Sequence, residues 1–201
     1  MTQFVIVVDT QKDFMAPEGA LAVSGARALA GPMQDWLQAL TPEATAGVLF
    51  TFDTHEPEVY AGSAEAELFP LHCARGTGGW ANLLDVAHVD PAIPAWRLEK
   101  GVFDMWAEEG LMIEDARNSG AQGVHRDYFF EALKTRQVET VTVIGVAADY
   151  CVRWAIEGLV ARGFGVTVPE HLTRGIDRQI EQVVREEFGN LPVQLTHLAG
   201  S

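Results

Sequence analysis

The sequence predicts an α/β fold of three layers, in which helices cover both faces of a mostly parallel, six-stranded sheet. Two observations lead there: β-branched and apolar runs recur along the chain, and helix-periodic segments separate several of them. Parallel neighbours need a long crossover between them. Strands covered on both faces then read as near-continuous apolar runs rather than as alternating ones. A third observation is the lack of any repeat, low-complexity tract or linker, which predicts that residues 1–201 form a single domain.

The first strand, residues 4–9, is apolar up to Val8 and closes on Asp9. Helical spacing follows at 33–40, its start blurred by Gly31-Pro32, and then a second strand at 47–53 ends on Asp53. The third strand, 95–100, ends on Lys100, and a helix is expected around 128–133. The fourth strand, 140–146, leads into a helix at 152–161 with the apolar stripe Ala155, Ile156 and Leu159; Asp149 is placed to cap its start and Gly163 to end it. A strand at 165–168, a helix at 177–188 and a strand at 192–196 complete the pattern. Segments 54–90 and 101–126 are long and weakly periodic, as functional loops are.

Composition narrows the partners. With 14 basic against 28 acidic residues the formal charge is −14, which opposes nucleic acid and anionic membrane surfaces and leaves a small-molecule substrate. No apolar stretch is long enough to span a bilayer and no basic, apolar leader opens the chain, so a cytoplasmic protein is expected. Two cysteines, Cys73 and Cys151, do not make a disulfide framework.

Ligands of open α/β sheets bind beyond the carboxyl ends of the strands, and four reactive groups fall there: Asp9, Asp53 with His55, Lys100 and Cys151. Cys151 lies in the first turn of a helix, where the dipole favours a thiolate, and Lys100 would add to that. Asp9 is then the proton acceptor. The bland alternative for Cys151 is a buried core thiol. Asp53-Thr54-His55, His72 and Glu65 between them offer oxygen and nitrogen donors suited to zinc or another first-row divalent ion, against the alternative of histidines that only hydrogen-bond within a loop. Cys73 reads as packing because it adjoins His72. His88, His125, His171 and His197 read as surface or cap residues, Gly76-Thr77-Gly78-Gly79 as a turn, and Glu108-Glu109 as a solvated face.

These residues also stand in a recognisable order. Val7-Val8-Asp9-Thr10-Gln11-Lys12-Asp13-Phe14, Asp53-Thr54-His55, Phe69-Pro70-Leu71-His72-Cys73-Ala74-Arg75-Gly76-Thr77, Lys100-Gly101 and Gly145-Val146-Ala147-Ala148-Asp149-Tyr150-Cys151-Val152 resemble the isochorismatase-like cysteine hydrolases, and among them the nicotinamidases. The resemblance runs from residue 4 to about 177. It implies a catalytic triad of Asp9, Lys100 and Cys151, and a divalent metal, zinc before iron or manganese, on Asp53, His55 and His72 with Glu65 as the matching fourth ligand. It implies that Phe14 and Phe69 contact the substrate ring. It also implies a cis Val146–Ala147 peptide, with the Ala147 and Cys151 N–H groups as an oxyanion hole. The expected activity is hydrolysis of nicotinamide to nicotinate and ammonia through a thioester, in a homo-oligomer. Alternatives are a related amidohydrolase acting on a carbamoyl or maleamate-like amide, or a catalytically silent metal-binding module. The chain departs from the pattern at Leu71, where proline is common, at Ala148, where threonine is common, and across 101–126, which bears on substrate identity.

Overall fold

The computed structural model describes residues 2–118 and 120–197. It contains one sheet of nine strands: β1 (Gln3–Val8), β2 (Thr45–Asp53), β3 (Ala95–Lys100), β4 (Met112–Asp115), β5 (Val124–His125), β6 (Thr140–Val146), β7 (Gly165–Pro169), β8 (Thr173–Arg174) and β9 (Val193–Thr196). The spatial order is β5-β4-β3-β2-β1-β6-β7-β9, with β8 alongside β6. All pairings are parallel except β3 with β4 and β4 with β5.

The six expected strands are present, and the sheet is larger by three. β4 and β5 fall inside the segment read as aperiodic, and they are four- and two-residue strands on the antiparallel edge. In β4 only Ile113 is buried, so its pattern is too short to register as alternation. β8 has two residues and no pattern of its own.

β1 explains why the central strands are uniformly apolar. Phe4, Ile6 and Val8 face one core, with α4 (Arg126–Thr135), α5 (Cys151–Ala161) and α6 (Ile180–Glu187); Val5 and Val7 face the other, with α2 (Ala30–Gln38) and the loops of 14–29 and 73–93. Two further helices, α1 (Lys12–Met15) and α3 (Pro57–Tyr60), are single turns just beyond β1 and β2. Pro32 is accommodated because it lies in the first turn of α2, where its missing N–H would have no helical partner. α5 closes in a Schellman motif: Gly163, at φ 81°, donates to Val160 at 2.9 Å, and Phe164 donates to Leu159 at 3.1 Å.

One expected helix cap and one expected helix start fail, for one reason. Asp149 does not cap α5; its carboxylate accepts the N–H groups of Ile176 (2.9 Å), Asp177 (2.7 Å) and Arg178 (2.8 Å). The segment read as the first turn of the last helix is therefore a loop clasped by Asp149, and α6 begins at Ile180.

The chain leaves β1 towards β2 and β3 and returns on the other side through β6, so strand order reverses between β1 and β6. Gly145 allows close approach at that crevice, since a Cβ there would stand 2.1 Å from the Val8 carbonyl oxygen. Its φ of 122° is open to glycine. No helix among the described residues is long and apolar enough to cross a membrane.

Candidate active site

Four strand ends converge at this reversal. Asp9 follows β1 in a left-handed conformation (φ 48°), Asp53 ends β2, Lys100 ends β3 in register with Asp53, and Cys151 opens α5 after β6. The Lys100 Nζ is 2.9 Å from Asp9 Oδ2, 3.2 Å from Asp53 Oδ1 and 3.6 Å from Cys151 Sγ. All four residues are buried. Thr51 holds Asp9 from below: its hydroxyl donates to Asp9 Oδ1 at 2.5 Å and accepts the Asp9 N–H at 3.2 Å.

Burial opposes the charge on Lys100, yet the Asp53 and Asp9 carboxylates outweigh it and raise its pKa well above the usual range, so it is an ammonium. Burial pushes the Cys151 thiol well above its usual range; Lys100 opposes the rise, while Asp9 and Asp53 add to it. Burial therefore works against the thiolate that the helix start and Lys100 favour, which gives a proton acceptor beside the sulfur its importance. Around Cys151, the Ala147 carbonyl accepts N–H bonds from Tyr150 and Val152, both at 3.1 Å. Ala148 donates to the Arg174 carbonyl of β8 at 2.8 Å, and the Val146–Ala147 peptide is cis, as the resemblance implies.

A second cluster adjoins the first through Asp53. Its Oδ2 lies 3.2 Å from His55 Nε2 and 3.1 Å from His72 Nε2, and Glu65 Oε1 lies 3.5 Å and 3.3 Å from the same nitrogens. One donor atom from each of Asp53, His55, Glu65 and His72 falls within 4.8 Å of every other. His72 Nδ1 is 2.8 Å from the Pro70 carbonyl oxygen, so that nitrogen donates and Nε2 is turned to the centre, where a bound cation would take the place of its proton. Glu65 Oε1 is fully buried and takes no hydrogen bond. An orphaned carboxylate oxygen facing two imidazole nitrogens and a second carboxylate fits a divalent cation and suits zinc. The electrostatics agree. Against the effect of burial, Asp53 and Glu65 raise His55 to about 9 and His72 to about 10. For Asp53 the order is reversed: burial works to raise its pKa, and Lys100 with the two imidazoles lowers it further than burial raises it.

Of the expected ring contacts, Phe14 is buried with its ring 5.2 Å from that of His72. Phe69 meets Phe103 (5.6 Å) and Tyr150 (5.4 Å), and those two meet each other at 5.3 Å, so three aromatic rings cluster around Tyr150, the residue before Cys151. Cys73 is core, as expected, its N–H held by Asp13 Oδ2 at 2.7 Å.

Sequence reasoning missed several supports. Gln11 accepts the Asp53 N–H at 2.8 Å and donates to the carbonyls of Asp53 (2.7 Å) and Trp80 (2.9 Å). Tyr60 packs on His55 at 4.5 Å and donates to the carbonyls of Phe69 and Pro70, both at 3.0 Å. Glu108, read as solvated, accepts the Gly101 N–H at 2.7 Å. Gln11 lay within the first motif, but nothing in local pattern marked Thr51, Tyr60 or Glu108.

The chain is 29% identical to a nicotinamidase/pyrazinamidase of Mycobacterium tuberculosis over 194 residues, 95% of this chain and 96% of that one. Its fold matches that of PnC1 from L. infantum, solved in complex with nicotinate, with a TM-score of 0.73, 26% identity and coverage of 98% and 92% of the two chains. It likewise matches a pyrazinamidase of Pyrococcus horikoshii in complex with zinc, with a TM-score of 0.73, 22% identity and coverage of 98% and 100%. Residues 3–186 match the model of the isochorismatase domain, and the chain belongs to that family.

Proposed function

We propose that the protein is a metal-dependent amidohydrolase that converts nicotinamide to nicotinate and ammonia through a thioester on Cys151. One observation carries this reading: Asp9, Asp53 and Cys151 all lie within 3.6 Å of a single buried ammonium, and Asp53 belongs at once to a cluster suited to a cation. The nicotinamidase activity of the M. tuberculosis relative and the nicotinate bound to the L. infantum protein support the choice of amide.

In this mechanism Asp9 takes the Cys151 proton and the thiolate attacks the carboxamide carbon. The negative oxygen of the tetrahedral species accepts hydrogen bonds from the Ala147 and Cys151 N–H groups, and losing one such donor typically costs roughly 3–4 kcal/mol in the barrier. The C–N bond breaks as Asp9 returns its proton to the departing nitrogen, releasing ammonia and leaving the acyl group on sulfur. Water then attacks the thioester while Asp9 accepts its proton; the C–S bond breaks, nicotinate leaves and the thiol is restored. Lys100 compensates the negative charge as it moves between Asp9 and sulfur. Asp53, His55, Glu65 and His72 would hold the metal, zinc before iron or manganese, which when bound supplies a positive centre for a ring nitrogen. Phe14 and Phe69 would flank the ring.

The cation cluster separates this reading from that of an amidohydrolase working on a carbamoyl or maleamate-like amide, which would not need it. The test is ammonia release from nicotinamide by purified protein, before and after chelation, with metal content measured on the same sample. Release that falls on chelation and returns with metal supports the reading, and Cys151→Ala should abolish release while metal stays bound. No release from metal-loaded protein refutes the choice of substrate, and robust activity in Cys151→Ala refutes the nucleophile.

A further inference from the structure

An apolar groove of about 360 Å³ opens beside the site, between the 63–68 loop, the 102–107 loop and Trp154 on α5. Leu68, Val102, Phe103, Ala107 and Trp154 supply its apolar lining. Leu68 is 71% exposed and Val102 39% exposed, so large side chains stand in water along it without covering one another. Two residues belong both to the groove and to the surroundings of the site. Glu65, whose Oε1 faces the cation cluster, lines the groove, and Phe103 packs against Phe69, the residue placed on the substrate ring, and against Tyr150, which precedes Cys151.

The 102–107 wall is held in place. The Trp106 indole donates to the Trp154 carbonyl at 3.1 Å and lies against Gly158, where a Cβ would stand 2.1 Å from its Nε1. The Arg162 guanidinium covers the same indole at 3.9 Å, and buried Arg126 donates to the carbonyls of Met105 (2.6 Å) and Glu108 (2.8 Å). These contacts fix the wall at Met105, Trp106 and Glu108, and the groove's size falls at the lower end of small-molecule sites.

We propose that this groove is a subsite for an apolar substituent on the amide substrate, so that alkyl- or aryl-substituted pyridine carboxamides are better substrates than the bare ring. The inference rests on the amidohydrolase reading. Because Glu65 and Phe103 border both the groove and the site, the occupant it fits is an extension of the molecule in the site. Burial of apolar area gives about a fourfold gain in kcat/KM per methylene.

The experiment measures kcat/KM of metal-loaded protein for nicotinamide and for analogues carrying a propyl group at each open ring carbon in turn, with Ala107→Trp as the groove-filling variant. At least one analogue should exceed nicotinamide tenfold or more, and Ala107→Trp should remove that advantage while nicotinamide turnover stays within twofold. Nicotinamide turnover with no favoured analogue overturns the subsite and leaves the amidohydrolase reading intact. An analogue cleaved well and lost in Ala107→Trp, with nicotinamide inert, supports the subsite and rejects nicotinamide. No cleavage of any of them overturns both. A dimer in sedimentation that Ala107→Trp dissociates assigns the groove to a second copy and overturns the subsite.

Discussion

Gln11→Leu removes hydrogen bonds from the edge of the sheet and little else. β1 ends at Val8, so it offers no backbone partner to the last residue of β2. The Gln11 amide stands in for the missing strand: it accepts the Asp53 N–H at 2.8 Å and donates to the Asp53 and Trp80 carbonyls at 2.7 and 2.9 Å. Leucine fills nearly the same space with no polar atom, leaving those backbone groups buried and unpaired. At about 1–3 kcal/mol for each of the two fully buried Asp53 groups, the loss is expected to be about 2–6 kcal/mol. Against a typical net stability of about 5–15 kcal/mol this is large. Urea unfolding of the metal-free protein measures it, read as a fall in midpoint at constant slope. Because the same bonds orient the backbone of Asp53, metal affinity should fall about 10- to 100-fold, as it does when other second-layer partners are removed. A stability loss below about 1 kcal/mol, with metal affinity unchanged, would show that the Gln11 amide does not stand in for the strand.

Lys100→Met leaves Asp9 and Asp53 buried without their shared cation and should destabilise the metal-free protein by about 3–5 kcal/mol. Because a positive charge also leaves the neighbourhood of the cation cluster, metal addition should raise Tm more in this variant than in the wild type, and an equal or smaller rise would contradict the shared-charge argument. Gly158→Ala should destabilise by about 1–2 kcal/mol, since the clash with Trp106 exceeds the helix-propensity gain of about 1 kcal/mol. The same substitution in a Trp106→Ala background should be stabilising, and thermal melts of the four proteins decide it. Asp149→Ala removes the acceptor of three N–H bonds and should cost about 3–5 kcal/mol. Hydrogen exchange at Ile176, Asp177 and Arg178 should rise well ahead of exchange in β6.

The parallel core was legible because strands covered on both faces write an unbroken apolar run, as in Phe4-Val5-Ile6-Val7-Val8, and because reactive residues closed those runs. What stayed hidden depends on distant partners. β4 is a strand because Ile113 meets Leu98 across an antiparallel edge, which no four-residue window can announce. Asp149 looked like a cap by position, yet the amides that claim its carboxylate lie 27 to 29 residues further on. Glu108 looked solvated because its partner is the N–H of Gly101, which is presented only once β3 has ended on Lys100.

The sequence also suggested two separate constellations, one nucleophilic and one metal-binding, and the structure joins them. Asp53 gives Oδ1 to the Lys100 ammonium and turns Oδ2 towards both imidazoles, so a single carboxylate belongs to each group. Its position follows from backbone registration, with Asp53 paired to Lys100 across β2 and β3 and clasped by Gln11 on the opposite edge. A cation in the cluster and the ammonium must therefore share one negative charge, and a change at either is felt at the other over a distance of a few ångströms in a buried setting. The coupling also orders the roles. Asp53 carries three partners on its two oxygens, Lys100 and both imidazoles, whereas Asp9 carries Thr51 on Oδ1 and Lys100 on Oδ2. The proton transfer proposed for Asp9 therefore falls to the carboxylate with fewer partners, an argument that proximity to Cys151 alone would not supply.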